Sequence, residues 1–302
     1  MNRVTVRHSI EEDQRHLFPD DFTPWLVKKR KLAQPFADLT ARFFLDARIR
    51  RNIIRLKETE PNLVIGETHC HSTFSDGQSS IQKILHRAAR LGLDYVVVTE
   101  HLLPGKFTTE CIIASIQEQS RCLREWKLND VPPIKIYPAF ELSALEGHLV
   151  FIFDPEFLNP KKLPDIALQF SGFNHRFVSM LEALPRIAPL GGISIVAHPE
   201  QERAYPFGAP ISWIKENLLG RVDGIEDISS GHGYEENFSG ELGLASIGSS
   251  DDHFNLLTGT VVTAYDGSQH GDLIPAVKAH DTRAIVMENS LQSLLTAARL
   301  VL

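Results

Sequence analysis

Residues 66–80 read GETHCHSTFSDGQSS and set two imidazoles and a carboxylate, His69, His71 and Asp76, within eight residues of one another. An apolar run precedes them directly. Side chains of the same kind recur further along the chain. Glu100 and His101 follow YVVVT, Glu141 follows IKIYPAF, and His148 stands just before LVFIF. His198 follows ISIVA, Glu226 and Asp227 lie within GIEDISSG, and Asp251, Asp252 and His253 follow LASIGSS. Thiolate is nearly absent from this set, and imidazole with carboxylate suits zinc, iron or manganese. A single catalytic zinc takes about three protein ligands. The set exceeds what one ion needs and is enough for two or three divalent ions, some bridged by a carboxylate. Closely spaced ions of this kind suit phosphoester hydrolysis, because they polarise phosphoryl oxygens and activate water.

These groups sit at the ends of short β-type apolar runs. The runs are Leu63–Ile65, Tyr95–Val98, Ile134–Tyr137, Leu149–Phe153, Ile193–Val196, Gly224–Ile228 and Leu244–Ile247. Helical patterns separate most of them, at 79–91, 108–126, 174–187 and 209–219. Such alternation predicts parallel strands with crossover helices. Seven runs without a Gly-x-Gly-x-x-Gly turn after the first point to a barrel more than to a dinucleotide-binding sheet. In a parallel barrel the C-terminal strand ends converge on one face, so the set should form one cluster. His148 is the awkward member because it precedes its run; an antiparallel strand or a ligand reaching in from the loop would accommodate it. A further strand-like run, GTVVTAY, and closing helices are expected over 259–302. Before the first run, Pro35 opens a helical pattern with Leu45, Ile49, Ile53 and Leu56 on one face, and Pro61 ends it. The expected division is an N-terminal helical extension, 1–62, and a barrel, 63–302.

Composition narrows the classes. The chain has 302 residues, 43% of them hydrophobic, and no run long enough to span a membrane. The opening MNRVTVRHSIEEDQ is too polar and acidic for a secretory signal, and three cysteines without paired spacing predict a reducing cytoplasm. A net charge of −7 argues against a nucleic-acid-coating surface. Residues 28–57 nevertheless hold ten Lys or Arg against two Asp, leaving about −15 elsewhere. That basic segment is read first as a solvated helix face and second as a contact for nucleic acid or another partner.

Five motifs in order give the chain a strong resemblance to the polymerase and histidinol phosphatase (PHP) family of metal-dependent phosphoesterases. HCHSTFSDG matches the opening His-x-His-x-x-x-Ser-Asp-Gly throughout. TEH at 99–101, FELSALEGH with Glu141 and His148, AHP at 197–199 and SSDDH with Asp251 and His253 match the rest. The resemblance covers residues 64–290. It implies a distorted seven-stranded, TIM-like (β/α)7 barrel and a three-metal site. By motif position it assigns His69, His71, Glu141 and Asp251 to a first ion. It gives Asp76, His101 and His253 to a second, and a bridging Glu141 with His148 and His198 to a third. The implied reaction is attack on a phosphate mono- or diester by a metal-bound hydroxide, with His69, His71, Glu141, Asp251 and His253 at its centre. His253 or a metal-bound water would assist the leaving group. All nine ligand positions are filled, which argues against a degenerate relative. Glu100 departs from the usual Asp, and is expected either to orient His101 or to shape the pocket wall. The large insertion of some nucleotide-acting relatives is missing. The activities weighed beside the general one are a histidinol-phosphate phosphatase and a nuclease or nucleotide phosphatase. The rival outside enzymes is a metal-binding regulatory or interaction module.

Substrate phosphate calls for positive groups beside the ions. Arg203, Lys106 and His232 are the candidates, each weighed against an ordinary surface role. Asp252 is expected to face away, and Glu226 and Asp227 more often to be structural than site-lining. His8, His16, His86, His175, His270 and His280 are expected to be surface or core residues. Cys70, alternating with its flanking histidines, is expected to point into the core.

Overall fold

The computed structural model describes residues 45–201 and 208–288. Most of the expected N-terminal extension, Arg203 and the chain beyond 288 lie outside them. Helix α1 (Asp46–Thr59) buries Ile49 and Ile53, the face read from the sequence. It is tied to the body at several points. Arg87 donates to Asp46 at 2.8 Å, Lys57 to Asp94 at 2.6 Å, and Asn52 Nδ2 to the Met287 carbonyl at 2.6 Å. Of the basic face, Arg48 pairs with Glu288 at 2.7 Å, and Arg50, Arg51 and Arg55 are exposed. No helix among the described residues is long and apolar enough to cross a membrane.

After α1 come β1 (Leu63–Cys70), α2 (Ile81–Leu91), β2 (Tyr95–Leu102), α3 (Thr109–Arg124), β3 (Lys135–Ser143) and β4 (His148–Ile152). Then follow α4 (Leu163–Phe170), α5 (Met180–Ala183), β5 (Ile193–Val196), α6 (Ile211–Asn217), β6 (Gly224–Ser229) and β7 (Tyr234–Glu235). The described chain closes with α7 (Phe238–Leu242), β8 (Ala245–Ser249), β9 (Val261–Asp266), α8 (Gly267–His270), α9 (Leu273–Lys278) and β10 (Arg283–Val286). The α2 stripe shows how the sequence folds locally. Ile81, Ile84, Leu85, Ala88 and Leu91 recur every three or four residues and are buried, and Gly92, at φ +91°, ends the helix in the left-handed region. The helix expected over 174–187 is cut to α5 and short 3₁₀ turns, because Pro185 and Pro189 deny the backbone N–H groups a longer helix needs.

All seven expected runs form strands, but among the described residues the sheet holds ten, in the order β10-β9-β1-β2-β3-β4-β5-β6-β7, with β8 also paired to β6. The pairing is mixed rather than wholly parallel. β4 runs antiparallel to both β3 and β5. Only four residues join β3 to β4, with Ala144 N donating to the Gly147 carbonyl at 2.8 Å. That is room for a hairpin and not for a crossover helix. β9 and β10 add an antiparallel pair beyond β1.

The sheet curls until β8 meets β1. A side-chain bond and one isolated bridge, Cys70 opposite Asp252, rather than a full ladder close this seam. Thr68 Oγ1 donates to the Gly248 carbonyl at 2.8 Å, and His71 N to the Asp252 carbonyl at 3.0 Å. One apolar layer contains Tyr95, Val97, Tyr137, Ala139, Val150, Ile152, Ile193, Ile195 and Ile247, together with Leu273 and Val277 of α9. A second, with Leu102, Phe140, Leu142, Leu149 and Phe151, packs under the outer helices. Period-two alternation then orders each strand. Tyr95 and Val97 lie in the inner layer, and the same face continues through Thr99 to His101.

Candidate metal centre

The polar end of the inner layer collects all nine expected ligand residues. His69 Nε2 and His71 Nε2 are 3.1 Å apart, and His71 Nε2 lies 3.1 Å from Asp251 Oδ1. Glu141 is the hub. Its Oε1 is 2.7 Å from His148 Nδ1 and 2.9 Å from His198 Nε2, and its Oε2 is 2.7 Å from His101 Nδ1. Asp76 Oδ1 sits 3.3 Å from His101 Nε2 and 3.2 Å from His253 Nε2. The antiparallel run of β4 explains His148: its first residue lies opposite Ser143 at the C-terminal end of β3. Four ligand-like groups have converging atoms within 4.8 Å of one another. They are His71–Asp76–His101–His253, His69–His71–Glu141, Glu141–His148–His198 and His198–His232–Asp251.

Local structure holds these groups in place. At Gly77 a Cβ would meet the His71 carbonyl at 2.3 Å, so only glycine lets the loop bearing Asp76 fold back this closely. Gln78 N donates to the His253 carbonyl at 2.7 Å and links that loop to the one bearing His253. His198 and Asp251 adopt φ +40° and +43°, a strained conformation for residues with a side chain and one that concentrates at functional sites. The Glu100 carboxylate turns to a set of serines. It accepts from Ser75 Oγ at 2.6 Å, Ser115 Oγ at 2.9 Å and Ser72 Oγ, and so braces the opening motif from behind.

Burial makes the centre electrostatically expensive. It opposes ionisation of Glu141, yet the neighbouring His148, His69 and His101 outweigh it and hold the carboxyl well below the usual range. Burial likewise opposes ionisation of Asp251, and His253 and His69 overcome it. His71 is driven down to about 3 by burial and by His101 and His253, so it stays neutral with a free lone pair. For His253 burial acts downward, but Asp251 and Asp76 raise it to about 9. Five buried atoms of the centre, His71 Nδ1, Asp76 Oδ1, His101 Nδ1, Glu141 Oε2 and His198 Nδ1, lack a well-directed hydrogen bond among the described residues. Some have an opposite charge nearby that is not aimed at them; Asp76 Oδ1 and His253 Nε2 are one such pair. Imidazoles and carboxylates converging on a point between them, with no sulfur among them, fit divalent cations.

The other candidates separate cleanly. His232 joins the cluster, with Nε2 2.8 Å from Asp251 Oδ2. Glu226 stands just behind it, with Oε1 2.8 Å from His69 Nδ1 and Oε2 accepting from His198 N at 2.9 Å. An imidazole bound this way presents its other nitrogen to an ion in a fixed orientation. Asp227 is turned away to Ser239 and Ser246, and Asp252 caps its own loop through Phe254 N, Leu257 N and Thr258 N. Lys106 is exposed at the rim over the Phe107 ring, which stacks on His101 with centroids 6.0 Å apart. Cys70 turns from the cluster and donates to the Val97 carbonyl at 3.4 Å. His86 packs on Trp126, His270 pairs with Asp281, and His175 and His280 are exposed. His8 and His16 lie outside the described residues.

Glu67 was not among the expected residues. It is fully buried, and its oxygens accept from Thr68 N, His69 N, Ser250 N and Gly259 N at 2.9–3.2 Å. Its signal in the sequence was a lone carboxylate inside an apolar strand, two residues before His69.

The mixed, partly closed barrel has known counterparts. A two-domain protein from Bacteroides vulgatus containing a predicted PHP-like metal-dependent phosphoesterase is similar to this chain with TM-score 0.50 and 19% identity, over 74% of this chain and 65% of the other. PsfC from Pseudomonas syringae PB-5123 gives TM-score 0.51 and 17% identity, over 79% of this chain and 98% of the other. At such identities it is the fold alone that is shared, a curled, mixed α/β sheet of TIM-like kind. No family model and no curated protein matches the chain.

Proposed function

We propose that this protein is a metal-dependent phosphoesterase that holds two or three divalent ions in the cluster around Glu141. The observation that carries the reading is the convergence of ten residues with nitrogen or oxygen donors, the nine expected ligands and His232, in overlapping groups within 4.8 Å, at a depth that uncompensated polar groups would not tolerate. His69, His71, Glu141 and Asp251 would hold one ion, Asp76, His101 and His253 another, and His148 and His198 with a bridging Glu141 a third. Ions bound there supply Lewis-acid polarisation of phosphoryl oxygens and activation of water. Glu226 orients His69 and fixes which of its nitrogens faces the cluster. Glu141 and His69, at 1% and 0% side-chain exposure, form the closed floor, whereas Asp76 at 29% and His253 at 20% form the mouth. A phosphate therefore approaches over Asp76, His101 and His253, with Lys106 at the rim to attract it. Arg203 is kept as a second phosphate-binding candidate. The barrel, residues 63–302, is the domain that would perform this, and three free cysteines favour a reducing compartment such as the cytoplasm.

The test is phosphate release from a panel of monoesters and diesters, nucleotide and non-nucleotide, by manganese-loaded protein. Release that disappears in His71→Ala, together with bound metal, is the expected outcome. Full activity in that variant overturns the assignment. The best substrate in the panel separates a small-metabolite phosphatase from an enzyme acting on nucleotides or nucleic acid.

A further inference from the structure

One group in the cluster has no place in the three-ion scheme. His232 comes from the turn after β6, outside all five motifs. The turn is built to reach the centre. At Gly231 a Cβ would meet the Ser250 carbonyl at 2.6 Å and Asp251 Cβ at 3.2 Å, so the bare backbone packs directly on the backbone of Asp251. Gly233, at φ +78°, turns the chain away immediately afterwards. Ser230 is pinned by Thr260, whose Oγ1 donates to its Oγ at 2.8 Å. His232 is thereby held with Nε2 2.8 Å from Asp251 Oδ2 and its ring 4.4 Å from that of His198.

Two donors bound to one ion at about 2.1 Å and at right angles lie about 3 Å apart, which is the spacing of this pair. Asp251 faces His71 with Oδ1 and His232 with Oδ2, so its two oxygens address two different groups of donors. His198, 2% exposed, keeps Nδ1 without a well-directed partner among the described residues. His198, His232 and Asp251 each offer one ligating atom within 4.8 Å of the others.

We infer that His232 is a tenth metal ligand, and that with Asp251 Oδ2 and His198 it completes the coordination of one divalent ion and makes Asp251 a bridge. The inference rests on the phosphoesterase reading only for the presence of ions. A hydrogen bond that merely orients Asp251 is the competing role, and the two are separable. Outer partners cost about 10–100-fold in metal affinity when removed; loss of a direct ligand costs more. Metal content after dialysis, and titration with cobalt(II) followed by its visible absorption, should be compared in wild type, His232→Gln, His232→Asp and His71→Ala. His232→Gln retains a hydrogen-bond donor for Asp251 but no imidazole. The expected result is a loss of more than about 100-fold in affinity for one ion in His232→Gln, with a changed cobalt spectrum, and recovery of that ion in His232→Asp. Wild-type affinity and spectrum in His232→Gln overturn the inference, and leave the phosphoesterase reading intact if His71→Ala has lost its metal. A wild-type protein that takes up no ion overturns both.

Discussion

At the scale of single residues the centre divides its histidines by charge. His71 is kept neutral, near 3, and is ready to ligate at any physiological pH, whereas His253 carries a proton up to about 9 because Asp251 and Asp76 face it. In the ion-free protein the raised His253 contributes stability that is fully present below its ordinary value of 6.5 and is lost as pH rises through about 9. A metal ion must displace that proton. Apparent affinity for metal should therefore strengthen about tenfold per pH unit between about pH 6.5 and 9 for each proton displaced, with release of protons on binding. Titration of stripped protein with manganese in weakly and strongly ionising buffers measures both. Affinity independent of pH would show that His253 is not displaced. At this scale the sequence was most legible, because imidazoles and carboxylates in fixed order leave few alternatives. His232 and Glu226 were weaker signals, since their role depends on a loop and a strand end that spacing does not place.

At the scale of elements the site depends on how the ends of strands are held. Glu67 does this at the seam between β1 and the chain around β8 and β9. Its Oε1 takes Ser250 N at 2.9 Å beside its own strand, and Oε2 takes Gly259 N at 3.1 Å. Burial pushes Glu67 up to about 7 against the hydrogen bonds from Ser250, Gly259 and His69, which favour its ionised form. Replacement by alanine would leave buried N–H groups without acceptors, at about 1–3 kcal/mol each. Glu67→Ala should lose about 2–5 kcal/mol of unfolding free energy, while Glu67→Gln, which keeps one acceptor oxygen, should lose less than half of that. Denaturant unfolding of the ion-free proteins decides it, and an unaffected Glu67→Ala would remove the residue from the seam. The orientation of β4 was half legible: His148 stands before its apolar run, which left an antiparallel strand and a ligand from the loop both open, and the four-residue connection between Ser143 and His148 decides for the strand. β10 was not, because a short run in the closing segment carries no periodicity that tells a strand from a helix.

At the scale of the whole molecule the two ends of the barrel do different work. One holds the donor cluster, where strain at His198 and Asp251 and the burial of ionisable groups oppose folding. At the other, α9 covers the apolar interior. Tyr137 bonds Asp272 there and accepts from Leu273 N at 3.2 Å, and Lys135 reaches Asp272 at 2.5 Å. Ligand binding stabilises only the folded state, by about 2.7 kcal/mol for an ion at 100 times its Kd. For a domain of this size, that should raise Tm by about 5–11 °C per ion. Tyr137→Phe removes a hydroxyl with two partners at the far end, so it should lower Tm in the absence of metal and leave the metal-induced rise intact. His71→Ala should do the reverse, with little loss or even a gain in ion-free Tm and a reduced rise on loading, since the imidazole it removes is buried among other histidines rather than in the apolar layers. Thermal unfolding of the three proteins, stripped and manganese-loaded, reads both quantities. Equal rises in wild type and His71→Ala would mean that the added metal binds elsewhere. A Tyr137→Phe variant that loses the rise would mean that the two ends are coupled through the barrel.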